Sequence, residues 1–294
     1  MRNISVLDAP SNLGLGPPGP GLVPGVYKLG WALRAKLIVP RLHAIDQGVV
    51  VPPRYRPETD GKAPRNQASI ADYSRRLADH LVPLVRSGSW TLVLGGDCSI
   101  LLGTMLALRR LGRYGLIFLD GHTDFRHPAK GVSLGGAAGE DLALATGRGG
   151  RELADLEGLQ PLVREEDVVA IGSRADDEYR DEVRTSRIQL IDVEGLRSEG
   201  AKKVGRRVVR EMTERGSAGY WIHLDVDVLD PEVMPAVDAP SPGGLSWEEL
   251  GTLIRELAAP PGSAGLEVTV FDPDLDEDGK LAAQLVETLV SALS

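Results

Sequence analysis

The sequence predicts an α/β fold: one domain built on a mainly parallel sheet with helices on both faces. Three observations predict it. Short apolar runs alternate with amphipathic stretches along the 294 residues. Most of the runs are continuously apolar, as strands covered on both faces are. No linker, internal repeat or low-complexity tract divides the chain, so residues 1–294 read as a single domain. Strand–helix alternation at this spacing belongs to parallel strands joined by crossover helices.

In order, a strand is expected at Ile4–Leu7, followed by the Gly- and Pro-rich stretch Gly14–Gly25. That stretch lies too near the N-terminus to separate domains and reads as an ordered loop beside a site. Residues 51–66 and 147–160 read as surface loops. Helices are expected at Gln67–Arg86 and Ile100–Arg110, with strands at Trp90–Leu94 and Leu116–Leu119. The pattern continues with a strand at Val168–Ile171, a helix at Asp176–Arg184, a strand at Ile188–Ile191 and a helix at Lys202–Glu214. A strand at Tyr220–Leu224 precedes the helix Trp247–Leu257. Ser246 is suited to cap that helix, with Glu249 completing a capping box. A strand at Leu266–Val270 and a helix at Lys280–Leu293 close the pattern.

The composition is that of a soluble globular protein, 42% hydrophobic and 26% charged. A formal net charge of -9 argues against nucleic acid and anionic membranes as main partners; acidic pockets suit a cationic substrate or a metal. Cys98 is the only cysteine, so no intrachain disulfide forms and a reducing compartment is expected. No apolar run has the length of a signal peptide or of the ~18–20 residues of a membrane span. A cytoplasmic location is the expectation.

In open parallel sheets, ligands bind beyond the carboxyl ends of the strands. The residues found there are Asp97-Cys98-Ser99, Asp120-Gly121-His122-Thr123-Asp124, Asp225-Val226-Asp227 and Asp272-Pro273-Asp274. Singly, such acids cap helices or make turns, and that role suits Asp97 and Asp230. A lone cysteine is usually a small core residue. The pattern Asp-x-His-x-Asp is different: in extended chain it turns Asp120, His122 and Asp124 to one side. Asp225 and Asp227 repeat the device from another strand. Like charges gathered so closely call for a cation. Oxygen-rich ligands with some nitrogen suit Mn or Mg, and a pair of ions sharing carboxylates would activate water.

At these residues the chain resembles the ureohydrolase (arginase–agmatinase) family. Gly95-Gly96-Asp97-Cys98-Ser99 matches that family's Gly-Gly-Asp-His-Ser, Asp120–Asp124 its Asp-Ala-His-x-Asp, and Asp225–Pro231 its Asp-Val-Asp-x-Leu-Asp-Pro. Gly243-Gly244-Leu245 and Glu267-Val268 fit as well, and residues 171–178, IGSRADDE, resemble the segment that lines the substrate pocket. The resemblance covers nearly the whole chain. It implies a three-layer α/β/α domain, a trimer or hexamer, and two Mn(II) ions per chain. Cys98, Asp120, Asp124 and Asp225 would hold one ion; His122, Asp120, Asp225 and Asp227 the other. A hydroxide bridging the metals would attack the guanidinium carbon. Asp124 would orient it, and Glu267 would pair with the guanidinium.

Three departures bear on function. Cys98 stands where arginases carry histidine, as in some hydroxyarginine-hydrolysing relatives; a thiolate adds negative charge and shifts selectivity toward Fe or Zn. It reads either as a ligand or as a buried bystander. A catalytic His-Gly pair is missing from residues 131–147, its place falling at Ala138, Gly135 or Gly136; His127 nearby reads as a loop residue. Arg126 occupies a position that is small and polar in the family, where it would bind a substrate carboxylate or simply face solvent. Asp177 aligns with an acid that meets an α-amino group, though helix capping accounts for it equally. The expected function is metal-dependent hydrolysis of a C–N bond in a guanidino compound: arginine, hydroxyarginine or a relative. The alternatives are a catalytically impaired binding or assembly protein and a formiminoglutamase-type hydrolase.

Overall fold

In the computed structural model, which describes residues 3–59, 61–127 and 135–294, eight strands form one wholly parallel sheet. They are β1 (Ile4–Asp8), β2 (Ile45–Val49), β3 (Trp90–Leu94), β4 (Gly115–Leu119), β5 (Val168–Ile171), β6 (Gln189–Ile191), β7 (Tyr220–Asp225) and β8 (Ser263–Thr269). Their order across the sheet is β2-β1-β3-β8-β7-β4-β5-β6. The last two strands of the chain are thus inserted between β3 and β4. The loops after β3, β4, β7 and β8 therefore meet at the middle of one sheet edge, where the strand order reverses and ligands bind.

Each face of the sheet carries its own core. Leu92, Leu94, Ile117, Leu119, Ile222 and Leu224 bury against helices that include Ala201–Glu214, Trp247–Ala258 and Lys280–Leu293. Val93, Leu116, Phe118 and Trp221 bury on the opposite face, in the core that includes helices Gln67–Arg86 and Leu101–Leu111. The result is the three-layer α/β/α architecture. Alternation along β7 puts Ile222 and Leu224 in the first core and leaves Trp221, His223 and Asp225 on the second side. The register pairs Phe118 with His223, His223 with Glu267, and Asp225 with Thr269. Phe118, His223 and Glu267 thus form a row one pleat below Asp225 and Thr269.

The predicted elements form close to their expected limits, and Ser246 and Glu249 make the capping box. Four differences have physical causes. β2 is absent from the sequence reading because its residues, IDQGV, contain no apolar run; it is an exposed edge strand. The helix expected at Asp176–Arg184 is confined to Arg180–Thr185, because Asp177 is tied into a turn by the Tyr179 N–H. Residues 147–160 are more than a surface loop: Arg151–Ala154 is helical, and Leu153, Ala154 and Leu156 are buried. Leu29–Ala35 and Val193–Glu199 form helices too short for periodicity to reveal. Among the described residues no helix is long and apolar enough to cross a membrane.

Candidate metal centre

The turn after β3 sets Cys98. Gly96 approaches the backbone of residue 11 so closely that a Cβ there would lie 1.9 Å from the Ser11 carbonyl oxygen. Asp97 takes the capping role expected of it, accepting from the Ser99 N–H at 2.9 Å and the Ser11 hydroxyl at 2.6 Å. These contacts turn the Cys98 thiol inward, where it is 1% exposed. Its Sγ donates to Asp225 Oδ2 at 2.7 Å and lies 3.3 Å from Thr269 Oγ1.

The loops after β4 and β7 hold each other. The His122 N–H donates to Asp120 Oδ1 at 2.6 Å, the Gly121 N–H to Asp227 Oδ1 at 3.0 Å, and the Asp227 N–H to Asp225 Oδ1 at 2.8 Å. His122 Nδ1 lies 2.9 Å from Asp227 Oδ2, and its Nε2 lies 3.2 Å from Ser241 Oγ. Asp124 adopts a left-handed backbone, φ 42°. Ligand atoms of Asp120, His122 and Asp227 lie within 4.8 Å of one another, as do those of Cys98, Asp124 and Asp141, and those of Cys98, Asp120 and His223. The structure therefore brings Cys98, Asp120, His122, Asp124, Asp225 and Asp227 into one cluster and adds Asp141 and His223.

Burial is the largest cause that pushes the carboxyls of Asp120, Asp124, Asp141 and Asp225 well above the ordinary range, and neighbouring carboxylates push further. Burial likewise raises the Cys98 thiol, with Asp225 adding to it. The bond to Asp227 is the main cause that raises His122 to about 9. Asp120 Oδ2, both Asp141 oxygens and His223 Nε2 are buried with no hydrogen-bond partner. Buried acids, an imidazole and a thiol with unsatisfied lone pairs are what divalent cations bind. The donor set fits a metal centre.

Over this cluster lies a cavity of about 460 Å³, whose wall includes Asp124, Arg126, Asp176, Glu178, Asp238 and Val270. The 171–178 segment does reach it. Gly14, Leu15 and Gly16 also face it, so the early glycine-rich stretch does border the site. Arg126 lies on the wall, its Nη2 donating to the Gly136 carbonyl at 3.2 Å and its Nε 3.7 Å from buried Glu140. Burial raises Glu140 to about 7, with Arg126 opposing. Asp177 borders the cavity, but its carboxylate already accepts from the Thr123 hydroxyl and the Thr123 and Tyr179 N–H groups. It positions the Asp120–Asp124 loop. Ala138 faces the cavity where the missing histidine was expected; residues 131–134 of that stretch lie outside the described residues. His127 lies 2.7 Å from Glu182 and is absent from the cavity wall.

The expected role of Glu267 is corrected. Glu267 sits two residues before the end of β8, fully buried, and accepts from His223 Nδ1 at 2.8 Å. It does not reach the cavity to meet a guanidinium. Val270 stands at that wall instead, its N–H bonded to the Gly96 carbonyl at 2.7 Å and its backbone in the left-handed region, φ 68°.

Arg174 organises the floor. Buried, it donates to the carbonyls of Gly172, Asp227, Val228, Leu229 and Ser241. Arg174→Met would leave several of these carbonyls unpaired, at about 1–3 kcal/mol each before relaxation. Chemical denaturation should show a loss of about 3 kcal/mol or more, and metal affinity should fall with it. An unchanged midpoint would show that Arg174 does not clamp these loops.

A cluster of metal-binding side chains at the carboxyl edge of an α/β/α sheet, beneath an acidic cavity, defines a metal-dependent hydrolase. Its class is the ureohydrolase type, which cleaves C–N bonds of guanidino and amidine compounds. The Arginase family model matches residues 26–293, and the chain belongs to that family. It is 30% identical to the arginase of Bacillus subtilis over 301 residues, covering 98% of both chains. It is 29% identical to the arginase of Bacillus caldovelox, over 99% of this chain and 98% of that one. The crystal structure of arginase from Bacillus cereus superposes with a TM-score of 0.87 at 28% identity, covering 100% of this chain and 99% of that one.

Proposed function

We propose that this chain holds two divalent ions, Mn(II) in the first instance, and hydrolyses the guanidino C–N bond of arginine, hydroxyarginine or a close relative. The observation that supports this reading most is the convergence of Cys98, Asp120, His122, Asp124, Asp225 and Asp227 beneath the cavity. When bound, such ions supply Lewis-acid polarisation and a water of lowered pKa. The protein supplies position and charge. Asp124, projecting from a left-handed turn, orients the attacking nucleophile. Asp176, Glu178 and Asp238 give the wall a negative field that draws in a cation. Burial raises Asp238 to about 6, against its ionisation, but that value still lies below neutral pH. Arg126 offers the nearby cation for a substrate carboxylate, which favours an amino acid over a simple amine. Cys98 in place of histidine supports a hydroxyguanidino substrate and tolerance of Fe or Zn.

A homo-oligomer, trimer or hexamer, and a cytoplasmic location complete the proposal. The exposed apolar residues Trp31, Leu37, Ile45 and Val49, on or near edge strand β2, support the former. The single, unpaired cysteine supports the latter.

The test is a panel of arginine, hydroxyarginine, agmatine and formiminoglutamate offered to protein loaded with Mn(II). Bound metal is counted by elemental analysis, and urea, hydroxyurea or formamide is measured. Release of urea or hydroxyurea from the amino-acid guanidines is expected. Formamide release alone would move the chain to the formiminoglutamase reading. No turnover with both ions bound would leave a binding protein.

A further inference from the structure

We propose that the ion at the Cys98 position sits one pleat below the cavity floor, held by Cys98 Sγ, His223 Nε2, Asp120 and Asp141. In this arrangement Glu267 fixes the tautomer of His223. The inference rests on the reading that this cluster binds divalent metal, and adds two ligands and a positioning residue to it.

His223 is built as a metal ligand is built. Its Nδ1 lies 2.8 Å from Glu267 Oε1, so the N–H points to the carboxylate and the lone pair is left on Nε2. A ligating histidine characteristically gives its other nitrogen to a carboxylate in this way. The ring cannot swing, because it is stacked on Phe118 at 4.7 Å between centroids and 7° between planes. Nε2 is wholly buried and has no hydrogen-bond partner. A ring nitrogen of His223 and the ligand atoms of Cys98 and Asp120 all lie within 4.8 Å of one another; with Nδ1 taken by Glu267, Nε2 is the nitrogen left free for an ion there.

Asp141 completes the set from the other side. It is fully buried, and neither of its oxygens has a hydrogen-bond partner. Its carboxylate falls within 4.8 Å of Cys98 and Asp124 ligand atoms, and its Oδ2 is 3.9 Å from His223 Nε2. That separation is too long for a hydrogen bond. It suits two donors of one ion, since metal–donor bonds of about 2.0–2.3 Å put neighbouring donors roughly 3.5 Å apart. The rival arrangement, an imidazolium between Glu267 and Asp141, would leave Nε2–H and both Asp141 oxygens without a hydrogen bond in the interior. One thiolate, one imidazole and two carboxylates make this position more tolerant of Zn(II) or Fe(II) than a set of oxygen and imidazole donors alone would be. Asp120, reachable from this position and from His122 and Asp227, links the two sites.

Cobalt(II) titration of the full chain reads the proposal directly, because only an ion bound to Cys98 gives a thiolate-to-cobalt charge-transfer band. His223→Asn keeps an N–H near the Nδ1 position for Glu267 and deletes Nε2; Asp141→Asn keeps the shape and deletes the charge. Each is expected to weaken the binding read at the thiolate band on the order of 10–100-fold. Cobalt absorption without thiolate character, from the ion at His122 and Asp227, should titrate nearly as before. Glu267→Gln, which leaves Nε2 in place, should weaken the thiolate-linked site about 10-fold and serves where His223→Asn fails to fold. Zinc X-ray absorption of the unmutated chain should show sulfur at about 2.3 Å together with imidazole. Identical thiolate-band titrations in wild type, His223→Asn and Asp141→Asn would overturn the proposal and leave the metal reading standing, as would bound ions with no sulfur neighbour. No bound ion anywhere would overturn both.

Discussion

Asp225→Asn is expected to abolish hydrolysis while raising the melting temperature of the metal-free protein. The two effects have one cause. Asp225 lies fully buried beside Asp120 and Asp227, and burial is the main reason its carboxyl is pushed well above the ordinary range. Without metal, that carboxylate is a cost to the fold. Asparagine keeps an Oδ1 for the Asp227 N–H, now 2.8 Å from Asp225 Oδ1, and still offers Cys98 a polar neighbour. It removes the charge. At neutral pH the metal-free fold must either take up a proton at this acid or bury its charge, a cost on the order of 1–4 kcal/mol that an amide does not carry, or several degrees in melting temperature for a domain of this size. The same change deprives the centre of the carboxylate that spans Cys98 and Asp227. Loss of turnover on the order of 10⁴-fold is expected, equivalent to about 5.5 kcal/mol of transition-state stabilisation. Steady-state urea release, elemental analysis and melting curves with and without metal check it. A variant that retains wild-type activity, or whose metal-free form melts lower, would show that Asp225 serves the fold instead of the ion.

The residues that form the cluster were legible where chain geometry is short-range. Asp120, His122 and Asp124 come from five consecutive residues, and Asp225 and Asp227 from three, so their place just past the ends of β4 and β7 suffices to bring them together; the alternation expected of extended chain does not hold there, because Val226–Val228 is a 3-10 turn and Asp124 is left-handed. His223 carried the same signal one step earlier: it is two residues before Asp225 and must share its face of β7. It went unread because it lies inside an apolar run. Glu267 shows the converse error. Motif position suggested a cavity residue, but β8 continues to Thr269, so Glu267 faces the interior and Val270 reaches the wall. Asp141 and Arg174 were beyond local reading. Asp141 meets Cys98 and Asp124 only through packing of the Asp141–Ala145 helix, and Arg174 finds its carbonyls 2 to 67 residues away. The fold was legible for a related reason. Buried parallel strands are continuous apolar runs, whereas β2, exposed at the edge, lacks that constraint and left no trace.

Metal binding should stabilise the protein far more at pH 8 than at pH 5.5. Asp120, Asp124, Asp141 and Asp225 have folded-state pKa values raised above those of the unfolded chain. In the window above the ordinary carboxylate range, the metal-free native state therefore binds more protons than the unfolded state. Its stability falls as pH rises. His122 has the same sign: raised to about 9, its contribution is fully present below about 6.5 and is lost as pH climbs through 9. Cys98, also raised, extends the trend to higher pH. A divalent ion needs these groups deprotonated, so it competes with protons and gains as they leave. Each proton displaced changes the binding free energy by about 1.4 kcal/mol per pH unit; two would change it by about 2.7. The measurement is the rise in melting temperature on adding Mn(II) or Zn(II) across pH 5.5–8.5, with proton release read by calorimetry in buffers of different ionisation enthalpy. The increment should grow steadily with pH, and net protons should be released on binding. An increment independent of pH, with no proton released, would mean that the acids beneath the cavity are already ionised and held by the protein alone, and that they are not waiting for a metal.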